Sequence, residues 1–162
     1  MNYKKYFKKA IAIALLFFLV NAPLILAYKN IDDKDNIIKN NSNNSKEIAL
    51  TFDDGPHPKE TAKILDILKK YNAKATFFMV GKNVSANPDI AKQVRKEGHQ
   101  IGNHTWDHPQ LPKLSLDNAK KEILDTQEAI QKATGVQTKI TRPPYGALNN
   151  AIQYGVDQSF IM

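Results

Sequence analysis

The chain has 162 residues, 42% of them hydrophobic, which suits one globular domain and not a disordered polymer. It contains no cysteine, so disulfides and thiolate metal sites are excluded. The formal charge of +7 is concentrated at the front, where Lys4, Lys5, Lys8 and Lys9 stand without an acidic neighbour. Residues 47–162 are close to charge balance, so the distribution points to membrane targeting and away from nucleic acid.

Those four lysines precede the apolar run Ala10–Val20, the pattern of an export segment. Residues 1–27 are therefore expected to be a signal peptide or an N-terminal membrane anchor, in contact with the membrane or the export machinery, with the domain outside the cytoplasm. Residues 28–46 are polar and rich in Asn, and they bury too little apolar surface to offset ordering entropy; a flexible linker is expected there.

From Glu47 strands and helices alternate. Ile48–Phe52 is a strand candidate, and Pro58–Tyr71 is a helix candidate with Thr61, Ile64, Leu65 and Leu68 on one face. Ala75–Val80 predicts a second strand, Pro88–Glu97 a second helix closed by Gly98, and Gln100–Gly102 a short third strand. Ser115 predicts the N-cap of a long helix ended by Gly135, with Leu116, Ala119, Ile123, Ile130 and Ala133 inward. Thr138–Thr141 predicts a fourth strand, followed by a helix near Leu148–Tyr154 and a strand at Gln158–Met162. Repeated strand–helix units mean parallel strands covered by helices, in an open sheet or a barrel, with the chemistry gathered where strands end.

Three strand ends carry reactive residues. After the first come Asp53 and Asp54, where Gly55 and Pro56 turn the chain and can bring both carboxylates to one pocket. A cation would relieve their repulsion, one carboxylate ligating it and the other staying free to take a proton. Taken alone, Asp-Asp-Gly-Pro is also a common surface turn. After the third strand come His104 and His108, whose imidazoles can converge on one metal from a helical turn. Zinc accepts two His and one carboxylate, and cobalt or nickel suits similar ligands. After the fourth comes Arg142-Pro143-Pro144-Tyr145-Gly146, where Arg142 can hold a carboxylate through a bidentate pair and the Tyr145 and Gly146 N–H groups are free to face an oxyanion. His57, Trp106 and Pro144 are candidates for a substrate cleft. His99 reads as a buried, hydrogen-bonded structural residue.

Taken together, in this order and spacing, these motifs resemble the NodB-type polysaccharide deacetylases, carbohydrate esterase family 4, over residues 46–162. The resemblance implies a distorted (β/α) barrel, of which this chain would hold the first four or five units. It implies one divalent metal on Asp54, His104 and His108, with Asp53 as base, Arg142 orienting Asp53, and the Tyr145 N–H at the oxyanion. It implies deacetylation of a polysaccharide; with export and tethering placing the domain at the cell envelope, removal of N-acetyl groups from N-acetylglucosamine residues is expected, of peptidoglycan first and chitin-type oligosaccharide second, with acetylated xylan third. Nothing after Gly146 matches the family's two later motifs, one of which supplies an acid histidine. A fragment that binds metal and glycan without turnover is the alternative expectation. The sequence does not give the oligomeric state.

Overall fold

The computed structural model describes residues 48–162; the expected export segment and the expected linker both lie outside the described residues. Five parallel strands form one sheet in the order β1-β2-β3-β4-β5. They are β1 (Leu50–Gly55), β2 (Ala75–Met79), β3 (Gln100–Asn103), β4 (Ile140–Thr141) and β5 (Ser159–Phe160). A sequential order joined by right-handed crossovers keeps every connecting helix on one face, as in a barrel wall. This is the winding expected of the NodB type.

The helices are α1 (Glu60–Lys70), α2 (Gly81–Ala86), α3 (Pro88–Lys96), α4 (Leu116–Thr134) and α5 (Asn150–Gly155). Period-two alternation splits β2 between two surroundings. Ala75, Phe77 and Met79 pack with Leu65, Leu68, Val94 and Ile130 in the main core. Phe78 is buried outside that cluster, and its ring lies 4.2 Å from the Arg142 guanidinium. A smaller core joins Leu111, Ala119, Ile123 and Ile152.

Helix α1 buries Thr61, Leu65 and Leu68, the expected face, and ends in Lys69 and Lys70 where the helix dipole favours positive charge. It begins at Glu60, later than Pro58, because His57 closes the preceding turn: its Nδ1 accepts the N–H groups of Lys59 and Glu60 at 3.3 Å each. Helix α4 has the expected caps, with Ser115 Oγ accepting the Asn118 N–H and Gly135 in the left-handed region at φ 74°. Ala119, Ile123 and Ile130 face inward as expected, and so does Thr126. Leu116 does not; it is 36% exposed, because the buried stripe begins only at Ala119.

Helix α2 was not legible in the sequence. It has six residues and no side-chain N-cap, and its first amides are held from outside: Gly81 N–H donates to the Thr105 carbonyl at 2.9 Å and Lys82 N–H to the Trp106 carbonyl at 3.2 Å. Strand β1 also differs from expectation, starting at Leu50 and running on through Gly55, while Ile48 precedes it and is 84% exposed. Among the described residues no helix is long and apolar enough to cross a membrane.

Candidate metal centre

The two aspartates reach one side through a β-bulge and not through the turn that follows them. Phe52 pairs with Phe77 and Gly55 with Met79, so β1 spends one more residue than β2 between those rungs. An extra residue breaks the alternation that would send neighbouring side chains to opposite faces. Asp54 absorbs the irregularity with φ 67°. Asn83 Nδ2 donates to the Asp54 carbonyl at 2.8 Å, and Val80 N–H donates to that of Gly55 at 2.9 Å. The next peptide bond, Gly55–Pro56, is cis.

The histidines sit on a loop, not on the expected helical turn. Thr105 and His108 have φ values of 66° and 60°, which no helix accommodates. His104 N–H continues the sheet by donating to the Met79 carbonyl at 2.9 Å, so this ligand candidate is seated on the strand end. Its ring is buried, and Nδ1 lies 2.7 Å from the Arg142 carbonyl. A carbonyl can only accept, so Nδ1 carries the proton and Nε2 presents its lone pair to the centre. Burial is the main influence on His104 and lowers its pKa, against the Arg142 carbonyl and the carboxylate of Asp53, which raise it. A neutral imidazole is the form that ligates a metal.

Asp54 Oδ1 lies 3.5 Å from His104 Nε2 and 3.3 Å from His108 Nε2, and the three donor atoms all fall within 4.8 Å of one another. Ligand bonds of about 2.0–2.2 Å in a tetrahedron place donors about 3.3–3.6 Å apart. The two carboxylate–imidazole separations match that value. A carboxylate oxygen facing an imidazole lone pair is repulsive unless a cation stands between them. The donor set therefore fits a divalent ion of the zinc class.

Asp53 stands beside this trio, with Oδ2 at 4.0 Å from His104 Nε2. Arg142 Nη1 donates to Asp53 Oδ1 at 2.8 Å and to Thr51 Oγ1 at 2.9 Å. The pair is thus single-pronged, not bidentate as expected, because one nitrogen is shared between the two acceptors. Tyr145 is left-handed at φ 60° and 68% exposed, and its ring stands edge-on to His108 with centroids 4.8 Å apart. The Gly146 N–H is not free as expected; it donates to the Pro143 carbonyl at 3.1 Å in the tight turn Pro144–Gly146. Of the cleft candidates, Pro144 is buried and Trp106 is half-buried, against Gly81. His57 is exposed and engaged at the start of α1.

Sequence reasoning missed Thr51, Asn83, Asn103 and Glu122. Asn103 Oδ1 accepts the Thr105 N–H, and its Nδ2 donates to the Ile123 carbonyl, both at 2.8 Å. Glu122 Oε2 accepts the N–H groups of Trp106 and Asp107. Thr51 and Asn103 lie inside the first and second motif segments but carried no assigned role, and nothing marked Asn83 or Glu122.

Residues 40–159 match the family model for polysaccharide deacetylase. The chain belongs to the polysaccharide deacetylase family. It is 46% identical over 120 residues to a peptidoglycan-N-acetylglucosamine deacetylase of Bacillus cereus, a stretch covering 74% of this chain and 44% of that protein. It is 49% identical over 110 residues to the peptidoglycan-N-acetylmuramic acid deacetylase PdaC of Bacillus subtilis, covering 68% of this chain and 24% of that one. The solved structure of PdaC superposes with a TM-score of 0.72 at 45% identity, over 74% of this chain and 59% of that one. A family 4 acetyl xylan esterase from Clostridium thermocellum, solved in complex with a cobalt ion, superposes with a TM-score of 0.68 at 42% identity, over 70% of this chain and 56% of that one. This polysaccharide deacetylase chain thus spans less than half the length of those two curated relatives.

Proposed function

We propose that the chain carries the site of a metal-dependent hydrolase that removes N-acetyl groups from N-acetylglucosamine in peptidoglycan, releasing acetate. The observation that carries this is the grouping of Asp54, His104 and His108 at ligand spacing, with Asp53 beside them on the Arg142 guanidinium. Zinc is the expected ion, and cobalt or nickel would suit the same donors. When bound, a divalent ion supplies Lewis-acid activation of water and of the acetyl carbonyl. Asp53 is the base that takes the proton from the attacking water; as the C–N bond then breaks, a proton passes to the leaving amine, which stays on the sugar while acetate departs. The Arg142 guanidinium aims Asp53 through a hydrogen bond, and a cation over Phe78 is itself held in place. The Tyr145 N–H donates to the developing oxyanion.

The names of the relatives support a cell-wall glycan as substrate, and they divide between glucosamine and muramic acid residues at similar identity. The choice of glucosamine rests on Gly55-Pro56, which looks more like the glucosamine-directed members. The basic and apolar leader supports an extracytoplasmic site of action, by secretion or by anchoring to the membrane. Acetate release from N-acetylated peptidoglycan, and separately from chitin oligosaccharide, tests the proposal with Zn²⁺ or Co²⁺ added and with chelator. Metal-dependent acetate release from peptidoglycan is expected. Glycan binding without acetate release would leave the chain a binding fragment, and cleavage of peptide stems would make it another hydrolase.

A further inference from the structure

The loop His104–His108 carries two of the three candidate ligands but has no regular structure of its own. Thr105 and His108 are left-handed without being glycine. Between them, the N–H groups of Trp106 and Asp107 point to one spot, and both donate to Glu122 Oε2 at 2.9 Å. Successive amides beside a left-handed residue form a concave positive nest that takes an anion. Here the anion is one carboxylate oxygen projecting from α4. The same backbone is held from its other side by α2, through the Thr105 and Trp106 carbonyls.

We infer that Glu122 is a positioning residue for the metal centre: its carboxylate fixes the His104–His108 loop in the shape that turns both imidazoles toward Asp54. The inference rests on the proposal that these residues hold a metal. Helix α4 makes a rigid post, capped at both ends and anchored by Ile123 and Thr126, which are fully buried. Ile123, the next residue, takes Asn103 through its carbonyl, so adjacent α4 positions hold both the strand end and the loop. Without the Glu122 carboxylate, two amides lose their acceptor and the left-handed residues lose the contact that offsets their strain. Glutamine has the same reach and keeps an acceptor oxygen, so it should restore much of the loop.

The test titrates Co²⁺ into the chelator-treated 162-residue chain and follows amide hydrogen exchange at Trp106 and Asp107 in the metal-free form. Glu122→Ala should weaken Co²⁺ binding roughly ten- to a hundredfold. Glu122→Gln should recover most of that loss, and Glu128→Ala, exposed on the same helix, should bind as the parent does. Exchange at Trp106 and Asp107 should accelerate in Glu122→Ala while Ile130 keeps its protection, which shows that the helix is intact. Parent-like cobalt affinity in Glu122→Ala, or unchanged exchange at the two amides, would overturn the inference. If the parent itself bound no cobalt, the metal proposal would fall, and the exchange data would still decide whether Glu122 sets the loop.

Discussion

Arg142 Nη1 stands 2.8 Å from Asp53 Oδ1, although 89 residues separate the two in the chain. The same nitrogen reaches Thr51 Oγ1, so the guanidinium ties β1 to the end of β4. A charge-assisted hydrogen bond of this kind contributes about 1.5–3 kcal/mol. Arg142→Ala should therefore lower kcat by roughly ten- to a hundredfold in any active form of the protein, with metal affinity nearly unchanged. Asp53→Asn should keep the metal and lose turnover. Steady-state kinetics beside metal titration checks both; loss of metal in Asp53→Asn would exchange the roles of the two aspartates.

Gly81→Ala should destabilise the domain. An added Cβ would lie 2.5 Å from Trp106 and 2.6 Å from Thr126 Oγ1, with Thr126 backbone at 3.1 Å. Overpacking of this kind costs about 1–3 kcal/mol. Urea denaturation measures the loss, and the displaced Trp106 should also change its fluorescence in the folded state.

Much of this fold could be read in advance, and the exceptions share a cause. The α1 face and both α4 caps follow from spacing within one segment, so the sequence carries them whole. The Asp53–Asp54 bulge exists only relative to β2, and a single strand does not encode its partner's register. Helix α2 is formed by amides that find acceptors on a loop more than twenty residues later. Glu122 lies among charged neighbours on a helix and looks like part of a solvated face, until the loop it holds is in place. The ligand candidates were legible because their chemistry is rare; the residues that aim them were not, because theirs is common.

His99 provides a pH test remote from the metal centre. It is buried, and Nδ1 accepts the Ala75 N–H at 3.3 Å. Burial first, and then the charge of Lys74, lower its pKa below the ordinary value. The folded state therefore binds this proton less readily than the unfolded state, and stability rises with pH across that window. The His99 contribution is complete above about pH 6.5 and is lost as pH falls through the folded value. Denaturation at pH 7.5 and pH 5 should show a drop that is smaller in His99→Gln.

Ser115→Ala should cost about 1 kcal/mol by removing the acceptor of the Asn118 N–H at the start of α4. The effect belongs to stability alone. Thermal unfolding should register it, while metal affinity, set farther along the helix, should stay near that of the parent.

The most direct test is calorimetric titration of Zn²⁺ into the chelator-treated chain and into its Asp54→Ala variant, both at neutral pH. One ion per chain is expected for the parent, with binding abolished by the substitution. Absence of a single-site isotherm in the parent, or an Asp54→Ala variant that binds as tightly, would contradict the assignment of Asp54, His104 and His108 to one metal.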